Sequence, residues 1–310
     1  MSSLPKIIVI CGPTASGKTK MSLELAKKFG GEIVSADSRQ IYRGMDVGTA
    51  KLKINNEELR MKNEATQHLV DIVDQDESYS VAEYQRDADR VIAEILGRGK
   101  VPFLVGGTGL YIDAVVERPN QLKIKNEKLK MNNKQQREEI LGEIREKGAE
   151  MIYKELCEKC PSLAKDLDWR NPRRLVRAVE ICKEFGDVER GKGERIYEVL
   201  KLGVEVDRLE LYRRIDARVL EMMSAGLEEE ARGLAEKYSW DLPAMSGIGY
   251  RQMRQYFAGE ISREEAIALI QRDTRRYAKR QMTWFRGDPE IRWVRDAGEA
   301  EGKVREFLEK

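Results

Sequence analysis

The amino-acid sequence predicts an α/β fold in which a parallel sheet is flanked by helices and interrupted by an all-helical insertion. Two short apolar runs rich in β-branched residues, Lys6–Cys11 and Val101–Val105, are typical of buried parallel strands. Between them, the apolar residues of Lys18–Phe29 recur at the spacing of one helix face. Strand and helix patterns that alternate along a chain indicate a parallel sheet.

The other elements of the predicted core follow in chain order. Glu32–Ser35 predicts a second strand, and a capping box of Ser80 and Glu83 predicts a helix that runs to about Leu96. Val199–Val206 predicts a strand that returns to the sheet. Four later helices are predicted, the last behind a second capping box: Leu209–Ser224, Leu227–Tyr238, Arg251–Phe257 and Arg263–Arg286.

The middle of the chain has a different pattern. It is rich in lysine and glutamate, poor in strand signals and helical in spacing, and Asn171-Pro172 is a favourable helix start. We therefore expect a catalytic core formed by residues 1–119 and 196–310, and a helical insertion domain over residues 120–195.

Composition indicates a globular protein with a directed contact to a polyanion. The 56 basic and 54 acidic residues give a net charge of only +2, but arginines cluster within Arg170–Arg177 and Arg272–Arg286. The alternative for either cluster is a solvated helix face. No apolar run approaches the ~20 residues of a membrane-spanning helix, so we expect a cytosolic protein without a membrane contact.

The four cysteines predict neither a zinc site nor a disulfide framework. Cys157 and Cys160 form one C-x-x-C pair without a second pair at metal-site spacing. A disulfide framework is unexpected in a chain of this size without a secretion signal. We expect helical cysteines that face a local core.

A phosphate-binding motif follows the first predicted strand and opens the first predicted helix. The segment matches G-x-x-x-x-G-K-[ST] in full. In such a loop, backbone N–H groups and the helix N-terminus surround phosphate oxygens. Lys18 is expected to contact the terminal phosphates, and Thr19 is expected to bind Mg²⁺. The phosphate-binding residues are Gly12, Pro13, Thr14, Ala15, Ser16, Gly17, Lys18 and Thr19.

Two strand ends refine this prediction. Many nucleotide hydrolases place a magnesium-binding aspartate after a hydrophobic strand, but here Val101–Val105 is followed by Gly106-Gly107-Thr108. This argues against an ATPase and leaves a small-molecule kinase open. Asp37 follows the second strand, where the carboxyl ends of parallel strands line a ligand crevice. It is either a general base, a magnesium partner or a turn residue.

Together these residues resemble the tRNA dimethylallyltransferase family, also called tRNA isopentenyltransferases. The resemblance extends over nearly the whole chain in the right order, and the long run that starts at Asp37 is its most specific part. The matching segments are Gly12–Thr19, Asp37–Lys51, Gly106–Tyr111, Asn171–Ala178, Gly249–Met253 and Ala278–Arg286.

The resemblance implies transfer of the dimethylallyl group of dimethylallyl diphosphate to N6 of the adenosine that follows the tRNA anticodon, adenosine 37. Asp37 would be the general base, and Lys18 with Mg²⁺ would stabilise the leaving diphosphate. Thr14 and Arg218 would also bind the diphosphate, and Thr108 would line the channel where the flipped adenine meets the donor. We expect a monomer.

The resemblance also assigns tRNA contacts to three parts of the chain. The first comprises Asp37, Ser38, Arg39, Gln40 and Thr108. The second, in the insertion, comprises Arg137, Arg173, Arg174, Leu175, Val176 and Arg177. The third comprises Gly247, Ile248, Gly249, Tyr250, Arg251 and Gln252.

Three other functions compete with this one. An adenylate isopentenyltransferase would use the same donor and a free nucleotide acceptor, but the basic helices would then have no purpose. A small-molecule P-loop kinase would need a closing lid, and no arginine-rich lid loop of the usual kind is found. A non-catalytic RNA-binding protein would give Asp37 no role.

Overall fold

The computed structural model describes residues 4–51, 66–118, 129–188 and 193–310. The chain divides into two units. The first unit consists of Met1–Val116 and Arg195–Lys310, and the second of Glu117–Glu194.

A parallel sheet forms the centre of the first unit, which confirms the predicted fold class. Among the described residues it has six strands: β1 Lys6–Cys11, β2 Gly31–Ser35, β3 Gln67–His68, β4 Val101–Gly106, β5 Glu198–Val204 and β6 Arg292–Val294. Their order is β3-β2-β4-β1-β5-β6. β1 pairs in parallel with both β4 and β5, so the loop after β1 leaves the middle of the sheet.

The helices of the first unit agree with the predicted bounds to within two residues where a helix was predicted. They are α1 Lys18–Lys28, α2 Val81–Gly97, α3 Gly109–Val116, α8 Arg208–Ser224, α9 Leu227–Lys237, α10 Tyr250–Phe257, α11 Arg263–Arg286 and α12 Ala297–Glu309. The short helix α3 and the terminal helix α12 were not predicted. Because α3 is buried on most sides, its sequence has no polar face that would reveal a helical period.

Alternate residues of β1 enter two different cores. Ile7 and Val9 pack on one face of the sheet with residues of α2 and α3, while Ile8 and Ile10 pack on the other with residues of α1 and α12. Both faces of the central strand are therefore buried, which fixes the position of the loop that follows it.

The second unit is helical in its described part. Its helices are α4 Leu129–Lys147, α5 Ala149–Lys159, α6 Pro161–Ala164 and α7 Pro172–Phe185. Asn171 caps α7, as predicted: its side chain accepts hydrogen bonds from the backbone N–H groups of Arg173 and Arg174. The expectation about cysteines was wrong in one respect. Cys160 and Cys182 both pack in or against the core of this unit, as expected, but they form a disulfide.

A buried carboxylate on β2 is held by three basic side chains. Glu32 is almost completely buried and accepts hydrogen bonds or ion pairs from His68, Arg98 and Lys100 at 2.6–2.8 Å. Burial alone would raise the pKa of Glu32, but the hydrogen bonds from Lys100, His68 and Arg98 outweigh it and lower the pKa to about 2. This network anchors the strand that carries Asp37 at its end.

We expect Glu32→Gln to destabilise the protein by about 3 kcal/mol at neutral pH, because it removes a buried charge from its partners. The folded-state pKa lies below that of the unfolded chain, so the stabilisation is present above about pH 4.5 and is lost as the pH falls towards 2. The free energy of unfolding, measured with urea at pH 7 and at pH 3, should therefore differ less between wild type and variant at pH 3 than at pH 7. Glu94→Gln, at an exposed ion pair with Arg90, is the matched control and should change the free energy of unfolding by under about 1 kcal/mol.

Within the described residues, no helix is long and apolar enough to cross a membrane.

Candidate active site

The phosphate-binding motif forms a loop between β1 and α1. Gly17 caps α1 with φ 92°, a left-handed conformation that favours glycine. Ser16 is buried, and its Oγ lies 3.0 Å from where a Cβ on Gly12 would be. No described group hydrogen-bonds to that hydroxyl. A loop that curls around an unpartnered donor is suited to an anion.

Two half-buried cations adjoin the loop. Lys18 donates to the carbonyl of Pro13 at 3.2 Å, and the guanidinium of Arg218 on α8 lies 3.5 Å from the hydroxyl of Thr14. Desolvation lowers the pKa of Lys18 to about 8, with Arg218 adding to the effect and Asp37 opposing it. Desolvation likewise lowers the pKa of Arg218, and Asp37 opposes it. Two desolvated cations near one another gain strongly from a bound polyanion.

Gln281 on α11 connects the phosphate-binding loop to the end of β4, and it was not predicted from the sequence. Its Oε1 accepts from the backbone N–H of Thr14 at 2.9 Å, and its Nε2 donates to the carbonyl of Gly107 at 2.9 Å. The side chain is buried. A buried glutamine on a predicted helix carries no signal in one sequence, because its two partners are remote in the chain.

Asp37 begins a tight turn after β2. Its Oδ1 accepts from the backbone N–H of Arg39 at 2.9 Å, a local bond typical of aspartate in turns. Asp37 shares a cavity with Lys18 and Arg218, and it acts on the pKa of both cations. The turn therefore holds a carboxylate beside the phosphate-binding loop.

Thr108 supports the wall of the site through two hydrogen bonds, and its role in lining the adenine channel stays a prediction. Its Oγ1 accepts from the backbone N–H of Ser38 at 3.1 Å, and it hydrogen-bonds to Tyr277. Ser38 and Tyr277 both line the cavity. Burial and the charge of Asp37 raise the pKa of Tyr277 to about 12, so this phenol stays neutral. Tyr277 was not predicted.

The cavity has a volume of about 310 Å³ and walls of two kinds. The charged and polar wall includes Thr14, Lys18, Asp37, Arg218 and Arg280. The apolar wall comprises Ile215, Val219, Met222, Leu227, Ile248 and Ile270. Such a cavity suits a ligand that combines a phosphorylated group with an apolar group.

A smaller space beside the loop is lined by oxygen-bearing side chains. Thr19, Ser35, Asp37, Gln40 and Thr49 contribute to it. Hydroxyl, amide and carboxylate oxygens are the ligands that Mg²⁺ prefers, and Mg²⁺ commonly binds through few protein ligands and the substrate phosphates. These residues therefore fit a magnesium site that includes the predicted Thr19. Gln40 is directed inward: its Nε2 donates to the carbonyl of Thr49 at 3.2 Å.

A carboxylate on α9 fixes the loop that follows Asp37, and this residue too was not predicted. Glu230 accepts from the backbone N–H groups of Asp46, Val47 and Gly48 at 2.7–2.9 Å. The hydroxyl of Tyr250 donates to the same carboxylate at 2.7 Å. Because Gly48 lines the cavity, the hydrogen bonds to Glu230 position part of the cavity wall.

In the segment from Gly247 to Gln252, for which tRNA contacts were predicted, most residues line the cavity and the last one supports its wall. Residues 247–251 line the cavity. The side chain of Gln252 is buried instead. Its Oε1 accepts from the backbone N–H of Gly249 at 2.9 Å, and its Nε2 donates to the carboxylate of Asp273 at 2.9 Å. Arg39, for which a tRNA contact was also predicted, lines the cavity and donates hydrogen bonds to the backbone carbonyls of Pro243 and Ala244.

In the second unit, the structure separates the predicted tRNA contacts into three groups. Leu175 and Val176 are buried in the core, so the prediction that they contact tRNA is corrected: they hold α7 in place. Arg137 and Arg177 both pair with the buried carboxylate of Glu180, at 3.0 and 3.1 Å, which partly neutralises them. Arg173 and Arg174 are exposed at the start of α7, and within the described residues no carboxylate pairs with either.

The basic cluster on α11 is also divided. Asp273 pairs with Arg272 and Arg276, and Asp216 pairs with Arg275. The three cations nearer the end of the helix have no ion-pair partner in the described part of the chain: Lys279, Arg280 and Arg286. The positive surface is therefore shorter than the sequence suggests.

Comparisons with known proteins agree with this site. The family model described as IPP transferase matches residues 40–288, and one described as isopentenyl transferase matches residues 5–65. The tRNA dimethylallyltransferase of Geobacter sulfurreducens is 44% identical over 94% of this chain and 92% of its own length. That of Bacillus cytotoxicus is 42% identical, covering 98% of this chain and 95% of the relative.

Solved structures give the same result. The tRNA isopentenylpyrophosphate transferase of Bacillus halodurans superimposes with a TM-score of 0.71 and 39% identity, over 98% of this chain and 97% of that one. A eukaryotic dimethylallyltransferase acting on tRNA superimposes with a TM-score of 0.73 and 25% identity, over 95% and 75% of the two chains. These matches and the geometry of the site show that the chain belongs to the tRNA dimethylallyltransferase family.

Proposed function

We propose that the protein transfers a dimethylallyl group from dimethylallyl diphosphate to N6 of adenosine 37 in tRNA, releasing diphosphate. One observation carries the proposal most directly. Lys18 and Arg218, Asp37 and an apolar wall meet in one cavity of about 310 Å³. Phosphate-binding cations, a proton acceptor and an apolar surface are what this reaction requires.

The donor is expected to bind with its diphosphate on the phosphate-binding loop. The loop N–H groups, Lys18 and Arg218 would face the phosphate oxygens, and Thr14 would add a hydroxyl. The apolar residues of α8, Ile215, Val219 and Met222, would cover the five-carbon group and exclude water from C1.

The acceptor adenine is expected to leave the RNA stack and to enter beside Asp37. Its N6 forms the new bond to C1 of the donor as the bond from C1 to the diphosphate oxygen breaks. The electron pair of the broken bond leaves with the diphosphate, where the cations stabilise it. The N6 proton passes to the carboxylate of Asp37.

Mg²⁺ is the metal that we propose for this site. Thr19, with the side-chain oxygens of Ser35, Gln40 and Thr49 around it, would hold it next to the phosphates. When bound, the ion would neutralise charge that develops on the leaving diphosphate. The cytosolic, monomeric state expected from the sequence stays a prediction.

The alternatives are less well supported. For a kinase, β4 ends at Gly106 without a carboxylate to hold magnesium. An adenylate isopentenyltransferase is not favoured, since the relatives from Geobacter sulfurreducens and Bacillus cytotoxicus are tRNA dimethylallyltransferases that match over more than 90% of this chain. A non-catalytic RNA-binding protein would not need a carboxylate beside two desolvated cations.

One assay tests the proposal against all three alternatives. The protein is incubated with labelled dimethylallyl diphosphate and Mg²⁺, and with either tRNA or AMP, or with a small acceptor and ATP. We expect label in tRNA, at the adenosine that follows the anticodon. Transfer to AMP, phosphate transfer from ATP, or no transfer to tRNA would each overturn it.

The exposed arginines of α7 give a second test. We propose that Arg173 and Arg174, with Lys279 and Arg280, bind tRNA phosphates. Arg173→Ala with Arg174→Ala should raise the Kd for an anticodon stem-loop and flatten its log–log salt dependence by about two units, since two phosphates would then keep their counterions on binding. Fluorescence titration at several salt concentrations measures both.

The matched control for this test is Arg90→Ala, which removes an exposed arginine that pairs with Glu94. It should leave the Kd and the salt slope at wild-type values, and neither variant should change the affinity for dimethylallyl diphosphate. If the double variant also keeps the wild-type slope, these arginines only solvate the start of α7.

A further inference from the structure

Trp284 on α11 is anchored by a hydrogen bond and a packing contact, and yet it is exposed. Of the four tryptophans, all in the described part of the chain, it alone is exposed, at 47%. Its indole N–H donates to Asp113 on α3 at 3.1 Å. Its ring lies against Gly109, where an added Cβ would be 2.4 Å from two ring atoms. A large aromatic ring that is fixed on one side and open to solvent is typical of a binding surface.

The position of Trp284 links it to the active site. Arg280 lies one helical turn earlier on α11 and lines the cavity. Gly109, beneath the indole, directly follows Thr108, which holds Ser38 and Tyr277 in the cavity wall. The exposed ring therefore packs on the segment that supports the cavity wall, and it lies one helical turn from a residue that lines the cavity.

The surroundings of Trp284 favour an RNA base over an apolar protein segment. Lys279, Arg280 and Arg286 are exposed, and among the described residues no carboxylate forms an ion pair with any of them. Leu110, 51% exposed, extends the apolar surface on α3. A fixed aromatic face among unpaired cations is the combination by which proteins bind single-stranded nucleic acid.

We propose that Trp284 is a stacking platform for an unpaired anticodon-loop base that flanks the adenine to be modified. The proposal rests on the tRNA-modifying function. Extruding the target adenine removes its neighbours' stacking partner, and an aromatic ring beside the cavity would replace it. Lys279, Arg280 and Arg286 would contact the adjoining phosphates, which position the loop without reading its bases.

The first test is binding of an anticodon stem-loop RNA, measured by fluorescence anisotropy. Trp284→Ala should raise the Kd by about tenfold, the usual size of one base-stacking interaction, whereas Trp284→Phe should stay within about threefold of wild type. Leu209→Ala, which truncates another exposed apolar side chain, is the control and should leave the Kd unchanged. An unchanged Kd in Trp284→Ala would overturn the proposal.

A second test separates stacking from a structural role of the indole. Abasic sites are placed singly through the loop. At one position that flanks the target adenine, the abasic site should weaken binding to wild type by about tenfold and leave binding to Trp284→Ala unchanged. Equal weakening in both proteins at every position would overturn the proposal, because the ring would then only support Gly109.

Two further readouts keep the inference distinct from the proposed function. The Tm and the affinity for dimethylallyl diphosphate should be the same in Trp284→Ala and wild type, and a decrease in either would contradict a platform role. If wild type prenylates tRNA but Trp284→Ala binds the stem-loop normally, the platform alone is wrong. If wild type does not prenylate tRNA, the proposed function itself fails.

Discussion

Lys18→Ala is expected to lower kcat/KM for prenyl transfer by about a thousandfold, since a preorganised, desolvated cation stabilises the leaving diphosphate. The desolvation of Lys18 makes this effect large, because a charge interaction is stronger where water is excluded. The measurement is steady-state transfer of labelled dimethylallyl groups to tRNA. Lys20→Ala, at an exposed lysine on the same helix, is the matched control and should keep wild-type kinetics.

The pH dependence of donor binding gives an independent sign of the same role. In the free enzyme the pKa of Lys18 is about 8, so the side chain is cationic below that pH and increasingly neutral above it. A bound diphosphate favours the cation and raises this pKa. Affinity for dimethylallyl diphosphate should therefore fall as the pH rises above 8, with proton uptake on binding.

Calorimetry in buffers of different ionisation enthalpy measures that proton uptake. In Lys18→Ala the uptake should disappear, and the affinity should no longer fall above pH 8. Activity of Lys18→Ala within tenfold of wild type, or the same proton uptake in both proteins, would contradict the assignment of the donor site.

Four of the six described strands, most helices and the phosphate-binding loop could be predicted because their signals are local. Lys6–Cys11 is apolar and β-branched, and the motif behind it has a fixed spacing, so β1, the loop and α1 were found. β3 and β6 were missed because two or three residues are too few to show a period. These two strands form by pairing with β2 and β5, which the residues of β3 and β6 do not reveal by themselves.

The parts of the site that could not be predicted depend on contacts between remote segments. Gln281 joins a loop 267 residues earlier to the end of β4, and Glu230 holds backbone N–H groups more than 180 residues earlier. Glutamine and glutamate are common on helix surfaces, so neither position differs from its neighbours in sequence. Only the fold gives these side chains their partners.

The predicted tRNA contacts show a different limit. A run such as Arg173–Arg177 is recognised as a block, but a helix directs its side chains in different directions. Leu175 and Val176 therefore enter the core, while Arg173 and Arg174 face solvent. In the same way, a count of arginines on α11 overstates the positive surface, because Asp216 and Asp273 neutralise part of it.

Asp37→Asn is expected to lower kcat by about a hundredfold or more, the usual contribution of a positioned general base. The amide has the same shape, and its Oδ1 can still accept from the backbone N–H of Arg39, so the turn should be kept. It cannot take the N6 proton as the C–N bond forms. Single-turnover transfer with saturating tRNA and donor measures this step without a contribution from binding.

The controls for Asp37→Asn separate base catalysis from positioning and from metal binding. Asp37→Ala removes the turn bond as well, so we expect it to weaken binding of the stem-loop, whereas Asp37→Asn should leave that Kd within about threefold of wild type. The kcat of Asp37→Asn should stay low at saturating Mg²⁺. Because an asparagine oxygen can still contact Mg²⁺ but cannot accept a proton, recovery of kcat at high Mg²⁺ would instead identify Asp37 as a metal ligand. An unchanged kcat with weaker tRNA binding would make it a positioning residue.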